Sequence, residues 1–326
     1  MLSPQEALEM YPRTGVVLLI DAPDSAKIGI DNTEWQVGHK FRGFKLIPPG
    51  AHFVHYSLME EKYMFKMGFF VYIEPGSIVV KEWNAESDTF IDMMDKEKRD
   101  RYCEAVRHME IDAYLGAYNH EQAAVWKEST MYISQSLIKK LVGQNTIAST
   151  IVEQKFEAIR LEKEESMITQ IAGNEDDEKV MAKPKSHIEA EGSKNMMDIE
   201  EMDERPALEP KGIDQFNSKF SIIQEPLHSI DFTVIPEKSH DISKTGSELT
   251  KSAIDKSELL EKLIQHEYKM EETAILGELQ VSFILFLLGE NLDSFEQFKK
   301  IFIVLCCSDT YFLNNQAFYD KVFSSL

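Results

Sequence analysis

The residues best suited to chemistry lie close together. The stretch KFRGFKLIPPGAHFVHYS, 40 to 57, holds His52 and His55, and a run in which Lys40, Arg42 and Lys45 alternate with Phe41 and Phe44. The histidine pair raises the question of a metal, and basic residues interleaved with aromatics are what single-stranded nucleic acid requires. The flanking residues read as a strand, where positions i and i+3 point to opposite faces, so the two imidazoles do not grip one ion together. Zinc also needs a third and usually a fourth ligand, and the chain has no CxxC pair and no HExxH. The histidines therefore read as structural, hydrogen-bonding residues, with no metal and no cofactor expected.

Other catalytic signatures are weak. There is no GxSxG elbow, P-loop or GxGxxG. Asp92 with Asp95 and Asp176 with Asp177 fall at a helix start or in a charged stretch, where carboxylates serve the helix dipole or solvation. An active site assembled from distant residues leaves no local mark, but the reading is of a protein that is not an enzyme. The basic and aromatic run sits on a chain with 35 Lys and Arg against 56 Asp and Glu, a net charge of -21. Such a field repels phosphate backbones, which disfavours direct nucleic-acid binding. A protein-docking loop, or core aromatics with solvated basic neighbours, fits the run better. Trp35, Phe41, Arg42, Phe44 and Lys45 are the candidate partner-binding residues, because aromatic and arginine side chains dominate interface energetics. For Trp35, Phe41 and Phe44 the alternative is sandwich core. Gly43, Pro48, Pro49 and Gly50 shape the loop.

The elements that position these residues follow from periodicity. From Gly15 to about Trp83, short apolar runs alternate with turn residues and predict strands at 16–20, 28–30, 35–37, 53–56, 67–73 and 78–83. Glu74-Pro75-Gly76-Ser77 matches a type II turn and predicts a hairpin between the last two. After Asp92 the period becomes helical, with one helix through Tyr102 and Val106 to about Gly116 and a second from Asn119 through Trp126 to Leu141. The fold class is thus an N-terminal all-β sandwich-like domain with flanking helices, over 1–150, followed by a C-terminal all-α helical domain over 212–326.

Between them, 151–211 is expected to be an acidic, largely disordered linker, with 17 acidic and 8 basic residues from 151 to 210. Beyond it, SKFSII and SIDFTVIP read as short extended pieces. Ser247 or Thr250 is placed to cap a helix through Ile264, Glu271 to Leu288 forms the next with Gly289 as its left-handed stop, Ser294 with Gln297 suggests a capping box, and 310–326 forms a last helix. Phe283, Ile284, Phe286 and Leu287 nearly encircle their helix, which should place it at the centre of the bundle. Cys103, Cys306 and Cys307 form no even framework, suit a reducing compartment and should be buried. The N-terminus does not read as a secretory signal, and the apolar run at 279–289 falls short of the roughly 20 residues a membrane span needs, so a soluble intracellular protein is expected.

Three segments together resemble the AAR-two family of splicing factors: IGIDNTEWQVGHKFRGFKLIPPGAHFVHYS with MGFF at 67–70, IDFTVIP at 230–236, and LGELQVSFILFLLGENLDSFEQFKKIFIVLCCS at 276–308. The resemblance implies a β-rich and a helical domain. It also implies an assembly chaperone of the U-five small nuclear ribonucleoprotein, which holds the scaffold Prp-eight through its RNase H-like and JAB/MPN-like domains until the helicase Brr-two replaces it, in cytoplasm and nucleus. Family members usually continue with further helices, so the helical domain here is expected to be incomplete. The alternatives are a generic protein-protein adaptor and, third, an RNA-binding factor. Phosphorylation within SHDISKTGSELTKS, 239–252, is expected to release the partner by adding charge near a helix start.

Overall fold

The computed structural model describes residues 5, 9–24, 26–60, 63–143, 147–148, 230–236, 250 and 254–325. The acidic stretch at 151–211, the SKFSII segment and nearly all of 239–252 lie outside them, and so do the expectations placed there. These described residues belong to one compact unit, Met1–Glu153 with Glu225–Leu326.

The N-terminal region is β-rich, as its alternation predicts. Among the described residues its strands are β1 (Gly15–Ile20), β2 (Lys27–Ile30), β3 (Thr33–Gln36), β4 (Gly43–Ile47), β5 (Gly50–Glu60), β6 (Tyr63–Ile73), β7 (Ile78–Asn84), β8 (Thr89–Asp92), β9 (Leu115–Ala117) and β10 (Ile147–Ala148). They form two five-stranded sheets, ordered β8-β7-β1-β4-β9 and β10-β6-β5-β2-β3. Val17, Leu19, Phe44 and Phe90 of the first sheet meet Ile28, Ile30, Val54, Tyr56 and Phe69 of the second in a core from which water is excluded. Alternate residues of β1, Val16, Leu18 and Ile20, point the other way and are covered by Val106 of helix α1 (Lys96–Arg107). Every residue of β1 is therefore buried, which is why VVLLI is a continuous apolar run and not an alternating one.

The Pro75-Gly76 turn forms as expected: Ser77 N–H donates to the Glu74 carbonyl at 3.0 Å and Gly76 has φ 73°. The hairpin does not. β6 pairs with β5, whereas β7 pairs in parallel with β1, so this turn hands the chain from one sheet to the other. The long hairpin is β5 with β6, in register from Gly50 opposite Ile73 to Glu60 opposite Tyr63. The expected helix from Asn119 to Leu141 is broken into α2 (Ala123–Ser129) and α3 (Gln135–Leu141). Thr130 turns its hydroxyl back to the Trp126 carbonyl, and Ser134 accepts from the Leu137 N–H to cap a fresh helix.

The C-terminal region is helical: α4 (Ser257–Lys262), continued by a wider turn over Leu263–Glu267, α5 (Glu272–Leu287), α6 (Leu292–Cys306), α7 (Asp309–Asn314) and α8 (Gln316–Ser325). Two end signals differ from expectation. Asn291, not Ser294, caps α6, because its side chain accepts from the Ser294 N–H and hydroxyl. Glu290, not Gly289, takes the left-handed conformation after α5, with φ 53°. Among the described residues no helix is long and apolar enough to cross a membrane. Cys306 is exposed and Cys103 and Cys307 are half-buried, so the thiols are less enclosed than their apolar neighbours suggest.

Separate cores for the two regions are only part of the outcome. Leu260, Leu276, Leu279, Ile301 and Val304 form a helical core. A further cluster is shared: Ala51, Phe53 and Phe70 on the outer face of the second sheet, Trp126, Leu137 and Leu141 of α2 and α3, and Val281, Ile284 and Leu285 of α5. The stretch of α5 from Ile275 to Ser282 lies between the regions and is buried all round, which is what a helix with no polar face requires. Its last turns are not central, since Phe283 is 41% exposed and Leu287 55%.

Candidate functional site

The candidate partner-binding residues come together at one end of the sandwich, but not all at its surface. Phe44 is 1% exposed and lies in the core, with Trp35 packed over it at 5.3 Å between ring centroids and Phe41 at 5.2 Å. Strand alternation turns Phe44 inward beside Val17, so it supports the patch from beneath and has no surface to offer a partner. Arg42 is half-buried and its guanidinium holds its own loop, donating to the carbonyls of His39 and Phe41 at 3.0 and 2.9 Å. Lys45 pairs with Asp112. Trp35, Phe41 and Arg42 thus form a half-buried rim, whereas Lys45, next to Phe44 in β4, turns to the opposite face of the sheet. Gly43 beneath it is confined by a φ of 138° and by the Val17 carbonyl, which a Cβ would meet at 2.0 Å.

The two histidines do point to opposite faces of β5, and one residue serves both. Asp31 opens the two-residue turn between β2 and β3 with φ 55°, a left-handed conformation that Asp tolerates. Its N–H donates to the Phe53 carbonyl at 2.8 Å, and its Oδ1 accepts the Phe53 N–H at 2.9 Å, so the side chain prolongs the ladder with β5 where the backbone turns away. Oδ2 lies 2.6 Å from His52 Nδ1 and accepts the Tyr118 hydroxyl at 2.7 Å. The Asp31 carbonyl accepts from His55 Nε2 at 3.0 Å. His52 Nε2 faces the Pro48 carbonyl at 2.8 Å, so both ring nitrogens lie against oxygen partners. Burial and the Asp31 charge push the Tyr118 hydroxyl far above its ordinary pKa, which keeps it a donor.

Pro48, Pro49, His52, Tyr72, Tyr118 and Trp126 line a pocket of about 330 Å³ over this network. Trp126 donates its ring N–H to the Ala51 carbonyl at 2.8 Å. With both ring nitrogens of His52 and both oxygens of Asp31 engaged, the pocket floor presents rings, not a free base. Among the described residues no group of three or more His, Cys, Asp or Glu could hold a metal ion.

His55 differs. Its ring fills the space above Gly29, where a Cβ would come within 2.4 Å of it. Nδ1 has no hydrogen-bond partner, and the Glu34 carboxylate stands 3.7 Å away. Burial lowers its pKa, against the pull of the Asp31 carbonyl, Glu34 and Asp31, with Lys66 adding to the lowering. Below about pH 6.5 the unfolded chain then binds a proton that the folded protein refuses, so stability falls as pH drops through that value towards the lowered one. Urea unfolding is expected to show this loss between pH 7.5 and 5.5, at no more than about 1.4 kcal/mol per pH unit for this group. His55→Gln, which keeps a donor for the Asp31 carbonyl, should flatten part of the slope; an unchanged slope contradicts the assignment.

A second polar hub was not foreseen. Glu278 of α5 is 0% exposed, and its carboxylate accepts the Thr233 N–H at 2.8 Å, the Thr233 hydroxyl at 2.7 Å, the Tyr268 hydroxyl at 3.0 Å and the Gln297 amide at 2.9 Å. Two residues further along α5, Gln280 accepts the Tyr132 N–H at 3.0 Å and donates to the Glu128 carbonyl at 3.3 Å, closing the break between α2 and α3. Gly277 lets that break approach, since a Cβ there would lie 2.3 Å from the Tyr132 carbonyl. The sequence signal was present in LGELQ: two polar residues inside an apolar helix are tolerated only when their hydrogen bonds are made.

Models of one family match both regions. The AAR2 N-terminal domain matches residues 13–143 and the AAR2 C-terminal repeat region matches 232–326. The protein is 24% identical over 330 residues to the human Protein AAR2 homolog, covering all of this chain and 77% of that one. It is 28% identical over 307 residues to the Caenorhabditis elegans Protein AAR2 homolog, covering 94% and 75%. It is 23% identical over 293 residues to the Saccharomyces cerevisiae A1 cistron-splicing factor AAR2, covering 89% and 70%. With the sandwich, the helices and the segment between them all inside these matches, the chain belongs to the AAR2 family.

Proposed function

We propose that this protein is a splicing factor that works without catalysis, as an assembly chaperone that holds Prp-eight through its RNase H-like and JAB/MPN-like domains during U-five particle biogenesis, before Brr-two joins. The observation that carries the reading is the family match across both the β-rich and the helical region, together with the yeast relative's name as a splicing factor. The charge supports it. A net charge of -21 suits a protein that covers basic surfaces of a scaffold before RNA reaches them. In this reading Trp35, Phe41 and Arg42 form a contact rim braced by Phe44, Lys45 adds a contact on the adjoining face of β4, and the protein works in cytoplasm and nucleus.

Co-purification from nuclease-treated extract, with identification by mass spectrometry, tests it. Prp-eight is expected without Brr-two, with retention that weakens as salt rises from about 0.1 to 0.5 M, as charged interfaces do. Capture of some other protein without Prp-eight favours a generic adaptor, and loss of the partner after nuclease treatment favours an RNA-binding factor.

A further inference from the structure

Residues 230–236, IDFTVIP, form neither strand nor helix. Among the described residues, one backbone hydrogen bond ties them to another element, from the Asp231 N–H to the Leu141 carbonyl of α3 at 2.8 Å. Side chains do the rest, and they converge on Thr233. Its N–H and its hydroxyl donate to the two oxygens of Glu278, and its carbonyl accepts from Gln297 Nε2 at 2.8 Å. Its hydroxyl also accepts from Lys140 Nζ at 3.3 Å. Every polar group of one residue is thus read by side chains fixed on α3, α5 and α6. A strand joining a sheet is held by backbone partners; an extended peptide bound in a groove is held in this way.

The side chains alternate accordingly. Thr233 and Ile235 are buried and Phe232 half-buried, while Asp231 and Pro236 are exposed and Val234 is 83% exposed. Ile235 enters the helical core, and Ile230 and Phe232 pack on the shared cluster. The hydroxyl is the discriminating group. It accepts from an ammonium and donates to a carboxylate, and a valine of the same shape would leave both charges unbridged.

We propose that α3, α5 and α6 form a peptide-binding groove for an extended segment with a central serine or threonine and apolar residues one before and two after it, and that 230–236 is its ligand in cis. The segment lifts off as a unit and is replaced by a peptide of the same chemistry. This does not depend on the splicing role.

A fluorescein-labelled peptide of residues 228–238 is titrated into the full chain and into full-length Thr233→Val, with anisotropy as the readout. The intact chain is expected to bind it weakly, because its own segment competes. The variant should bind at least about tenfold more tightly, the ratio that one charge-assisted hydrogen bond supplies. Serine in place of the peptide's threonine should be accepted, and valine should not. No binding to a Thr233→Val chain that keeps its near-ultraviolet dichroism overturns the proposal. Hydrogen exchange of the unaltered chain decides even if that variant does not fold. Asp231 and Thr233 amides exchanging faster than those of Leu279–Ile284 show the segment leaving alone, and equal rates show that it opens only with the whole unit and overturn the proposal.

Discussion

Replacing Glu278 with alanine is expected to lower the unfolding free energy by about 3–5 kcal/mol, measured by urea denaturation. The carboxylate is fully enclosed and accepts four hydrogen bonds from Thr233, Tyr268 and Gln297, so its removal strands donors that water cannot reach. Burial and the charge of Glu278 hold the Tyr268 pKa far above its ordinary range, which keeps its hydroxyl a donor to the carboxylate. Glu278→Gln keeps one acceptor oxygen and should cost about half as much. The Glu278→Ala and Thr233→Val losses should fall short of additivity by about 1 kcal/mol or more, since the second change removes a donor that the first has already orphaned. A loss below about 1 kcal/mol for Glu278→Ala means that the four hydrogen bonds do not hold this junction.

The strands and helices were legible because each carries a period. Ile28 and Ile30 alternate into the space between the sheets, and Leu276, Leu279 and Ile301 fall on the helical core. What joins the elements was not. Pro75-Gly76 specifies a turn but not which strand the next residues will pair with, and β7 found β1 rather than β6. Gln297 stands three residues after Ser294 and reads as half of a capping box, yet its amide reaches Thr233 and Glu278. Local spacing names a donor; only the fold names its acceptor. Phe41 and Phe44 share an aromatic and basic context, and nothing local separates the half-buried ring from the core one. Nothing local marks Asp31 out, because its partners lie on β5 and near β9, distant in sequence.

Asp31→Ala should cost about 3–4 kcal/mol in the same measurement. It withdraws the acceptors of the Phe53 N–H, the Tyr118 hydroxyl and His52 Nδ1, and it places alanine at φ 55°. Asp31→Asn separates the two causes. Asparagine tolerates the left-handed turn and keeps one oxygen, so the backbone component of about 1 kcal/mol disappears and the loss of the charged partner of His52 and Tyr118 remains. The 330 Å³ pocket above should change with it, because His52 and Tyr118 are two of its walls. Quenching of Trp126, which lies 6.4 Å from the His52 ring between centroids, reports that change directly. Equal stability of the two variants would mean that strain and charge contribute nothing separable.

The pairing of β1 with β7 has a bearing on synthesis at the ribosome. Gly15–Ile20 emerges early, yet its parallel neighbour, Ile78–Asn84, is made only after the whole β5–β6 hairpin has been translated. Parallel, non-local pairing of this sort nucleates slowly. Even once β4 has been made, the nascent chain therefore carries VVLLI with its β7 edge unpaired while the hairpin is still being polymerised, and that edge is the segment for which a holdase at the exit tunnel would compete.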